Sequence, residues 1–335
     1  MPDPSLTTTQ DASVTAVLVN YCTRDLTLDC LRSLASEVAA FPALEVVVAD
    51  NASPDGSGTE IADAIAANSW DRWARVLPMP RNGGFSYGNN GVIREQLARA
   101  SPPAYIWLLN TDTVVQPGAL RALVDFMAAH PAAGGAGSRL EHPDGRLQCS
   151  AFRFHSVASE FDSSLNVGFV SKLLKRWQVA PALPDTQTRY DWLSGASLLL
   201  RTQLFRDVEL MDEDYFLYYE ETDLCKRADR LGWSFWYVPQ SRVVHLVGQS
   251  TGVTDPAQQR KRRAAYWFES RRRYFIKHHG VFYAALADAA LASGTALSMA
   301  RDAILGRASS IPDSFLSDLA RQSALLNPSI NGTSP

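Results

Sequence analysis

Residues 14–50 decide the fold; they read VTAVLVNYCTRDLTLDCLRSLASEVAAFPALEVVVAD. Residues 14–19 are a short run rich in β-branched side chains, and residues 44–49 are apolar again. Between them, residues 27–38 carry apolar side chains at helical spacing, namely Leu28, Leu31, Leu34 and Val38. A strand, a helix and a second strand in this order predict a βαβ unit.

The same alternation continues along the chain. Residues 75–77 and 105–109 are strand-like, and residues 89–100 between them are helix-like. Strands that alternate with helices predict an α/β fold with a mostly parallel central sheet flanked by helices on both faces. Sheets of this kind bind ligands beyond the carboxyl ends of their strands.

Polar residues stand at each of those strand ends. They are Asn20 and Tyr21, then Asp50, Asn51 and Ser53, then Arg81, Asn82, Gly83 and Gly84, then Asn110, Thr111 and Asp112. Each group alone is ordinary turn chemistry. Together at one sheet edge they suit a nucleotide. A carboxylate accepts a hydrogen bond from a pyrimidine N–H, and glycines let a diphosphate approach the backbone. An arginine pairs with phosphate, and Asp112 can hold a hard cation.

Composition narrows the class of protein. The 335 residues carry a net charge of −3 and 46% hydrophobic side chains, which suits a large globular core and gives no reason to expect nucleic acid as a partner. Residues 257–279 hold eight Lys or Arg and one Glu, a net charge of +7, so the rest of the chain sums to −10. The four cysteines lack CxxC spacing, and the N-terminus lacks the pattern of a signal peptide, so a reducing cytoplasm is expected.

A cluster of acids follows an aromatic run at residues 215–219. Glu220, Glu221 and Asp223 fall within four residues. One interpretation is the first turn of a helix, where acids meet the macrodipole favourably. The other is a proton-transfer site, because neighbouring acids and partial burial raise a carboxyl pKa toward neutrality.

Six motifs in order resemble the signature of family-2 glycosyltransferases with the GT-A fold, and of bacterial rhamnosyltransferase-type members in particular. They are residues 19–21 (VNY), 48–53 (VADNAS), 82–85 (NGGF), 108–112 (LLNTD), 192–196 (WLSGA) and 219–224 (YEETDL). The resemblance covers residues 14–280. It implies an inverting transfer of a sugar from a nucleotide donor to a glycan or lipid-linked acceptor, with Mg²⁺ or Mn²⁺ as cofactor.

The resemblance also implies roles for single residues. Asp50 meets the nucleotide base, and the other strand-end residues named above line the donor. Asp112 and His245 hold the metal, although Asn110 stands where the family commonly has another acid. Glu221 is the catalytic base in place of the usual Asp, with Glu220 and Asp223 as supporting acids, and the acceptor side holds Trp192, Ser194 and Gly195. Core packing remains an alternative for Trp192 and for His245.

The resemblance favours dTDP-rhamnose as the donor. A UDP-hexose or UDP-N-acetylhexosamine donor stays open, as does a non-catalytic nucleotide-binding module.

The expected organisation has three parts: a disordered tail at 1–13, a catalytic domain at 14–255 with a nucleotide-sugar half (14–115) and an acceptor half (116–255), and a helical region at 256–335. The basic and aromatic residues 260–279 suit an anionic membrane surface, which implies a cytoplasmic protein at the inner face of a membrane. A packed helical appendage and a homodimer interface are the alternatives. Asp288 argues against a membrane span through residues 281–300.

Overall fold

The computed structural model describes residues 12–246, 262–309 and 311–330. These residues form two compact units. The sheet unit holds residues 12–152, 182–213 and 221–246, and the helical unit holds residues 153–181, 214–220, 262–309 and 311–330. The predicted tail lies outside the described residues up to residue 11, as do residues 260 and 261 of the basic segment.

Twelve strands are present in the described residues. They are β1 (Val14–Asn20), β2 (Leu44–Asp50), β3 (Ala74–Pro78), β4 (Tyr105–Leu109), β5 (Thr113–Val115), β6 (Ala133–Glu141), β7 (Leu147–Gln148), β8 (Ala151–Phe152), β9 (Thr188–Tyr190), β10 (Trp192–Leu193), β11 (Ser197–Arg201) and β12 (Ser234–His245).

The same residues contain eleven α-helices. They are α1 (Arg24–Ala40), α2 (Ser57–Ala67), α3 (Gly84–Leu97), α4 (Ala119–Ala129), α5 (Val157–Leu165), α6 (Gly168–Leu173), α7 (Thr202–Val208), α8 (Glu220–Asp229), α9 (Ala265–His279), α10 (Val281–Ile304) and α11 (Phe315–Arg321). A short 3₁₀ helix follows α6 at Lys175–Trp177.

The large sheet has the strand order β3-β2-β1-β4-β11-β6-β12-β5. Its first four strands are parallel, as the alternation of strands and helices predicts. Strand β11 is antiparallel to both of its neighbours, and β12 returns parallel to β6. The mostly parallel α/β prediction is therefore confirmed. The reversed strands are β11, which lies directly after the predicted acceptor motif, and the short strands β5, β7 and β9.

The βαβ unit forms as predicted, with small differences in its bounds. Side chains of α1 at Leu28, Leu31 and Leu34 are buried in the main core with β1 and β2. Helix α3 begins at Gly84, five residues before the predicted start, because Asn82 Oδ1 accepts the Gly84 N–H at 3.1 Å and leads the chain into the helix. The Asn-Gly-Gly motif is thus the entry to a helix, so helical N–H groups lie at the ligand edge of the sheet.

A buried ion triad organises the helical unit. Arg271 of α9 is 2% exposed, donates from Nε to Glu160 Oε2 of α5 at 2.7 Å, and donates from Nη1 to Asp288 of α10. Burial is the largest single effect and raises the pKa of Glu160, but the charges and hydrogen bonds of Arg271 and His155 together outweigh it, so the pKa of Glu160 is lowered. The second oxygen of Asp288 accepts the Ala324 N–H at 2.8 Å. This triad joins α5, which lies in segment 153–181, to the C-terminal helices α9 and α10.

Three cations of the basic segment 260–279 have carboxylate partners within the helical unit. Arg271 points into the helical unit, Arg262 pairs with Asp318 at 2.6 Å and Arg273 pairs with Asp214 at 2.7 Å. Arg271 and Arg273 are largely buried in these pairs, whereas the paired side chain of Arg262 is exposed. Of the helices in the described ranges, α10 alone is long and apolar enough to cross a bilayer, by length and composition only.

Candidate active site

The first two strands end side by side at a buried polar pair. Asn20 and Asp50 are register partners, and Asn20 Nδ2 donates to Asp50 Oδ1 at 2.7 Å. The same amide nitrogen lies 3.0 Å from Ser57 Oγ, while Asn20 Oδ1 accepts from the Thr23 and Thr27 hydroxyls. Asn20 is therefore a hub that joins the ends of β1 and β2 to the starts of α1 and α2.

Asp50 is held in one orientation by its neighbours. Ser53 Oγ donates to Asp50 Oδ1 at 2.6 Å, and the Ser53 N–H approaches Oδ2 at 3.3 Å. Gly58 lies against the other side, where a Cβ would come within 2.5 Å of Asp50 Oδ2. Asp50 is 8% exposed, so its neighbours hold the carboxylate in a fixed orientation.

The third strand end adds the glycine loop. Asn51 Nδ2 donates to the Gly84 carbonyl at 2.9 Å, which ties the end of β2 to the first residue of α3. Arg81 lies over the Tyr87 ring at 4.5 Å and is exposed, as is Tyr21. These predicted donor-binding residues lie at the carboxyl edge of the parallel strands.

The fourth strand end brings Asp112 to His245. Asp112 follows β4 and is 1% exposed. The N–H of Asn110, the first residue after β4, donates to the Ala196 carbonyl at 3.2 Å. Thr111 Oγ1 is 3.3 Å from Thr23 Oγ1. Strand β12 ends opposite, where His245 pairs with Thr113 in the ladder and places Nε2 at 3.4 Å from Asp112 Oδ1.

Gln148 determines which nitrogen of His245 carries the proton. Gln148 Nε2 donates to the His245 carbonyl at 2.7 Å, and this contact orients the amide. Gln148 Oε1 consequently faces His245 Nδ1 at 3.2 Å, and an amide oxygen only accepts, so Nδ1 is the protonated nitrogen. In a neutral ring, Nε2 then directs its lone pair at the carboxylate of Asp112.

Two lone pairs that face one another suit a cation between them. A charge-assisted hydrogen bond from a protonated ring would be about 2.7–2.9 Å long, which is shorter than the 3.4 Å found. In the part of the chain that the structure describes, no group of three or more His, Cys, Asp or Glu side chains converges. Asp112 and His245 would therefore suit a divalent cation as two of its ligands.

Glu221 is half-buried in the first turn of α8. Its Oε1 accepts the Gly195 N–H at 2.9 Å. Burial raises the pKa of Glu221, although the bonds from the N–H groups of Glu221 and Gly195 oppose the rise. A carboxylate with a raised pKa is a competent proton acceptor near neutrality.

Gly195 places Glu221 beside the rest of the site. A Cβ at Gly195 would lie 2.5 Å from Glu221 Oε1 and 3.1 Å from the Phe85 ring, so only glycine admits this packing. The next residue, Ala196, accepts the Asn110 N–H at 3.2 Å. A continuous path of contacts therefore runs from Glu221 through residues 195 and 196 to the Asp112 edge.

The other two acids of the cluster are buried in the same helix. Asp223 accepts from Arg227 Nε at 2.8 Å, and Arg227 in turn donates to the Leu210 carbonyl at 2.8 Å. Glu220 is 2% exposed. The helix-start interpretation of the cluster is therefore correct as to structure, and it does not compete with a role for Glu221, because the first turn of α8 is what holds that carboxylate.

The residues before α8 have an unusual backbone. Tyr218 and Tyr219 adopt φ angles of 72° and 69°. Two consecutive non-glycine residues in the left-handed region cost about 1–3 kcal/mol each. Such cost is retained where the surroundings require one conformation, here the turn that starts α8.

Trp192 packs on another aromatic ring. It stacks on Phe152 at 4.2 Å between centroids, and the two strands β8 and β10 that carry them pair with each other. Ser194 Oγ accepts the Ala196 N–H at 3.3 Å. Trp192 is half-buried, so a role beside a sugar ring stays a prediction.

Two residues escaped prediction. Gln148 lies on a two-residue strand with no periodicity, and Gly58 lies in the first turn of α2. The chain offers a weak signal only for the second, since a glycine inside a helical pattern indicates close packing.

Comparison with known proteins agrees with the geometry. The model of glycosyltransferase-like family 2 matches residues 11–269. The N-acetylglucosaminyl-diphospho-decaprenol L-rhamnosyltransferase of Mycobacterium tuberculosis is 30% identical over 272 residues, which cover 77% of this chain and 79% of the relative. The rhamnosyltransferase WbbL of Escherichia coli K12 is 25% identical over 164 residues, 48% of this chain and 60% of the relative.

Solved structures share the fold at low identity. A mannosyltransferase from Pyrobaculum calidifontis, solved with GDP-Man and Mn²⁺, has a TM-score of 0.55 and 16% identity over 98% of this chain and 84% of that one. Residues 1–349 of TarS from S. aureus have a TM-score of 0.52 and 13% identity over 93% and 81% of the two chains. The chain belongs to glycosyltransferase family 2 and is a rhamnosyltransferase-like enzyme with the GT-A fold.

Proposed function

We propose that the enzyme transfers rhamnose from dTDP-rhamnose, with inversion and with a divalent metal, to a hydroxyl of a lipid-linked glycan. The observation that carries the proposal is the half-buried Glu221 carboxylate on the Gly195 N–H, joined through Ala196 to the edge that holds Asp112. It combines a proton acceptor and an anion-binding edge within the sheet unit.

Glu221 acts as the base. In an inverting transfer, the acceptor oxygen attacks the anomeric carbon from the face opposite the leaving nucleotide and gives up its proton. Burial raises the pKa of Glu221 toward the range in which a carboxylate removes that proton effectively. The Gly195 N–H holds Oε1, and we assign Oε2 to the acceptor hydroxyl.

The strand ends act on the donor. Asp50, aimed by Asn20 and Ser53, accepts from the pyrimidine ring, and the N–H groups at the start of α3 face the diphosphate. Asp112 and His245 would hold the divalent cation, with Gln148 fixing the ring of His245. When bound, the cation offsets the charge that grows on the departing diphosphate.

The donor sugar and the acceptor are proposed from likeness. The M. tuberculosis relative is named for transfer of L-rhamnose to N-acetylglucosaminyl-diphospho-decaprenol. Identity of 30% over 77% of this chain supports the same substrate classes here.

The test is a donor screen followed by a base variant. Thermal stabilisation is measured with dTDP-rhamnose, UDP-glucose and UDP-N-acetylglucosamine, each with and without Mn²⁺, because a ligand that binds the folded state raises Tm. We expect the largest rise with dTDP-rhamnose and Mn²⁺. A larger rise with either UDP sugar would overturn the choice of donor.

Glu221→Gln then tests the chemistry. The amide keeps an oxygen for the Gly195 N–H but cannot take a proton at neutral pH, so kcat should fall about 10²–10⁴-fold with donor binding unchanged. Glu95→Gln, an exposed carboxylate of α3, is the matched control and should keep wild-type turnover. Wild-type turnover of Glu221→Gln would place the base elsewhere, and a product with the anomeric configuration of the donor would refute inversion.

A further inference from the structure

Helix α10 exposes its apolar side chains and buries its acidic ones, unlike an ordinary surface helix. Its exposed side chains along one side recur three and four residues apart and are Phe282, Leu286, Ala289, Ser293, Ala296, Leu297, Ala300 and Ile304. None of them is charged, and Phe282 and Ile304 are 79% and 84% exposed. The acids Asp288 and Asp302 are buried on the opposite side. A helix on a water-facing surface shows the opposite arrangement.

Helix α6 extends this apolar side. Val170 and Leu173 of α6 line a groove of about 690 Å³ with Ala290 and Ser293 of α10. Phe169 and Leu173 are 72% and 66% exposed. We call these two side chains and the exposed side of α10 the apolar face. Exposed apolar side chains clustered in this way mark a protein or membrane contact.

Cations border the apolar face. Lys172, Lys175 and Arg176 lie on α6 and the 3₁₀ helix, and all three are exposed. None has a carboxylate partner among the residues that the structure describes. Arg176 packs over the Trp177 ring at 3.7 Å, so its charge is held beside an aromatic side chain. Apolar side chains interleaved with Lys, Arg and Trp are typical of segments that lie in a membrane interface.

We propose that the apolar face lies on an anionic bilayer, with Phe169, Phe282 and Leu286 in the acyl boundary and Lys172, Lys175 and Arg176 at the headgroups. A second copy of the chain fits less well, because a symmetric contact through this face would bring six unpaired cations together. A span through α10 also fits less well, since Asp288 is bonded to Arg271 inside the helical unit. The contact goes beyond the proposed transfer, because it needs neither donor nor acceptor.

Vesicle sedimentation of the full chain, without nucleotide or acceptor, tests the proposal. The protein should sediment with phosphatidylglycerol vesicles and stay in solution with phosphatidylcholine vesicles. Leu286→Gln combined with Leu297→Gln should lower the partition coefficient at least about 10-fold, as removal of two apolar side chains from the boundary implies. Lys172→Gln combined with Lys175→Gln should lower it about 30-fold, because each cation contributes about 1 kcal/mol at an anionic surface, or about fivefold.

Matched substitutions in the sheet unit control for general surface effects. Leu231→Gln and Arg206→Gln change an exposed leucine and an exposed arginine that lie off the apolar face, and both should sediment like the wild type. All variants should keep the wild-type Tm, since the side chains are exposed. Donor-induced thermal stabilisation, measured on the same samples, reports the proposed transfer site separately.

Two results would overturn the proposal. One is undiminished sedimentation of both double variants with phosphatidylglycerol vesicles. The other is a dimer in light scattering that Leu286→Gln with Leu297→Gln converts to a monomer, which would make the apolar face a contact between copies.

Discussion

Gly195→Ala tests the link between the acceptor motif and the base. The new Cβ would lie 2.5 Å from Glu221 Oε1, whereas ordinary contact begins at 3.4 Å, so the carboxylate or its neighbours must move by about 0.9 Å. The Phe85 ring, 3.1 Å from the same Cβ, closes the other direction. The carboxylate is therefore the group that yields, and its 2.9 Å bond from the Gly195 N–H lengthens.

The expected size follows from that displacement. A misplacement of about 1 Å in a catalytic group can cost about 10²-fold, so kcat should fall about 10- to 100-fold. The N–H bond lowers the pKa of Glu221 against the effect of burial, so weakening it should raise the pKa further. The acidic limb of the pH profile should accordingly move to higher pH, a change that general destabilisation does not produce.

The assay is steady-state transfer at saturating donor across pH, with Tm measured in parallel. Gly134→Ala is the matched control, because its Cβ would crowd Leu204 and Trp233 but none of the candidate site residues. It should lower Tm while leaving the pH limb in place. If Gly195→Ala keeps wild-type kcat and an unmoved limb, the contact between residues 195 and 221 has no part in catalysis.

Three further predictions rest on single contacts. In Glu221→Gln the unfolding free energy should decline less with rising pH than in the wild type, because burial raises the folded-state pKa of Glu221. Above the unfolded-state pKa of about 4.3, the folded wild type keeps a proton that the unfolded state releases, and each pH unit between the two pKa values lowers its unfolding free energy by about 1.4 kcal/mol. Parallel slopes of the two proteins in urea titrations from pH 4 to 8 would contradict this. Gln148→Leu should weaken Mn²⁺ binding in the presence of dTDP about 10- to 100-fold, because the ring of His245 loses its hydrogen-bond partner. Electron paramagnetic resonance of free Mn²⁺ measures the affinity. An affinity equal to that of the control Gln187→Leu would show that Gln148 has no part in the site. Arg271→Met should destabilise the helical unit by about 3–5 kcal/mol, because Glu160 and Asp288 are left buried without their cation. The exposed Arg206→Met is the control in calorimetry. A loss of unfolding free energy no larger than that of the control would refute a structural triad.

Periodicity and punctuation predict the parallel half of the fold because its cause is local. Alternating apolar strands and helices leave few arrangements, and the polar residues at the strand ends must then meet at one edge. Asn20, Asp50 and Asp112 are of this kind: Asn20 and Asp50 end buried strands, and Asp112 lies three residues after the end of one. The order of the six motifs adds the family, which the comparisons confirm.

Contacts between distant segments escape this reasoning. Gln148 reaches His245 across 97 residues, and Glu160 reaches Arg271 across 111. Neither pair has a spacing that local periodicity can reveal. The same limit applies to residues 260–279, because the carboxylates that pair with Arg262, Arg271 and Arg273 lie on distant segments.

Glutamate at position 221 and glycine at position 195 form a coupled pair, because the longer side chain needs the space that a Cβ would fill. Glutamate reaches the Gly195 N–H at 2.9 Å because no Cβ stands in its way. Aspartate, common at this position in the family that the motifs resemble, would withdraw the carboxylate by about 1.5 Å, one C–C bond. That withdrawal exceeds the 0.9 Å of crowding from an alanine, so Gly195→Ala should cost far less in a Glu221→Asp background than in the wild type. A double-mutant cycle on kcat should therefore show a coupling of about 1 kcal/mol or more, as residues in contact do. Additive effects would mean that glycine serves the fold at position 195 and leaves the choice of glutamate unexplained.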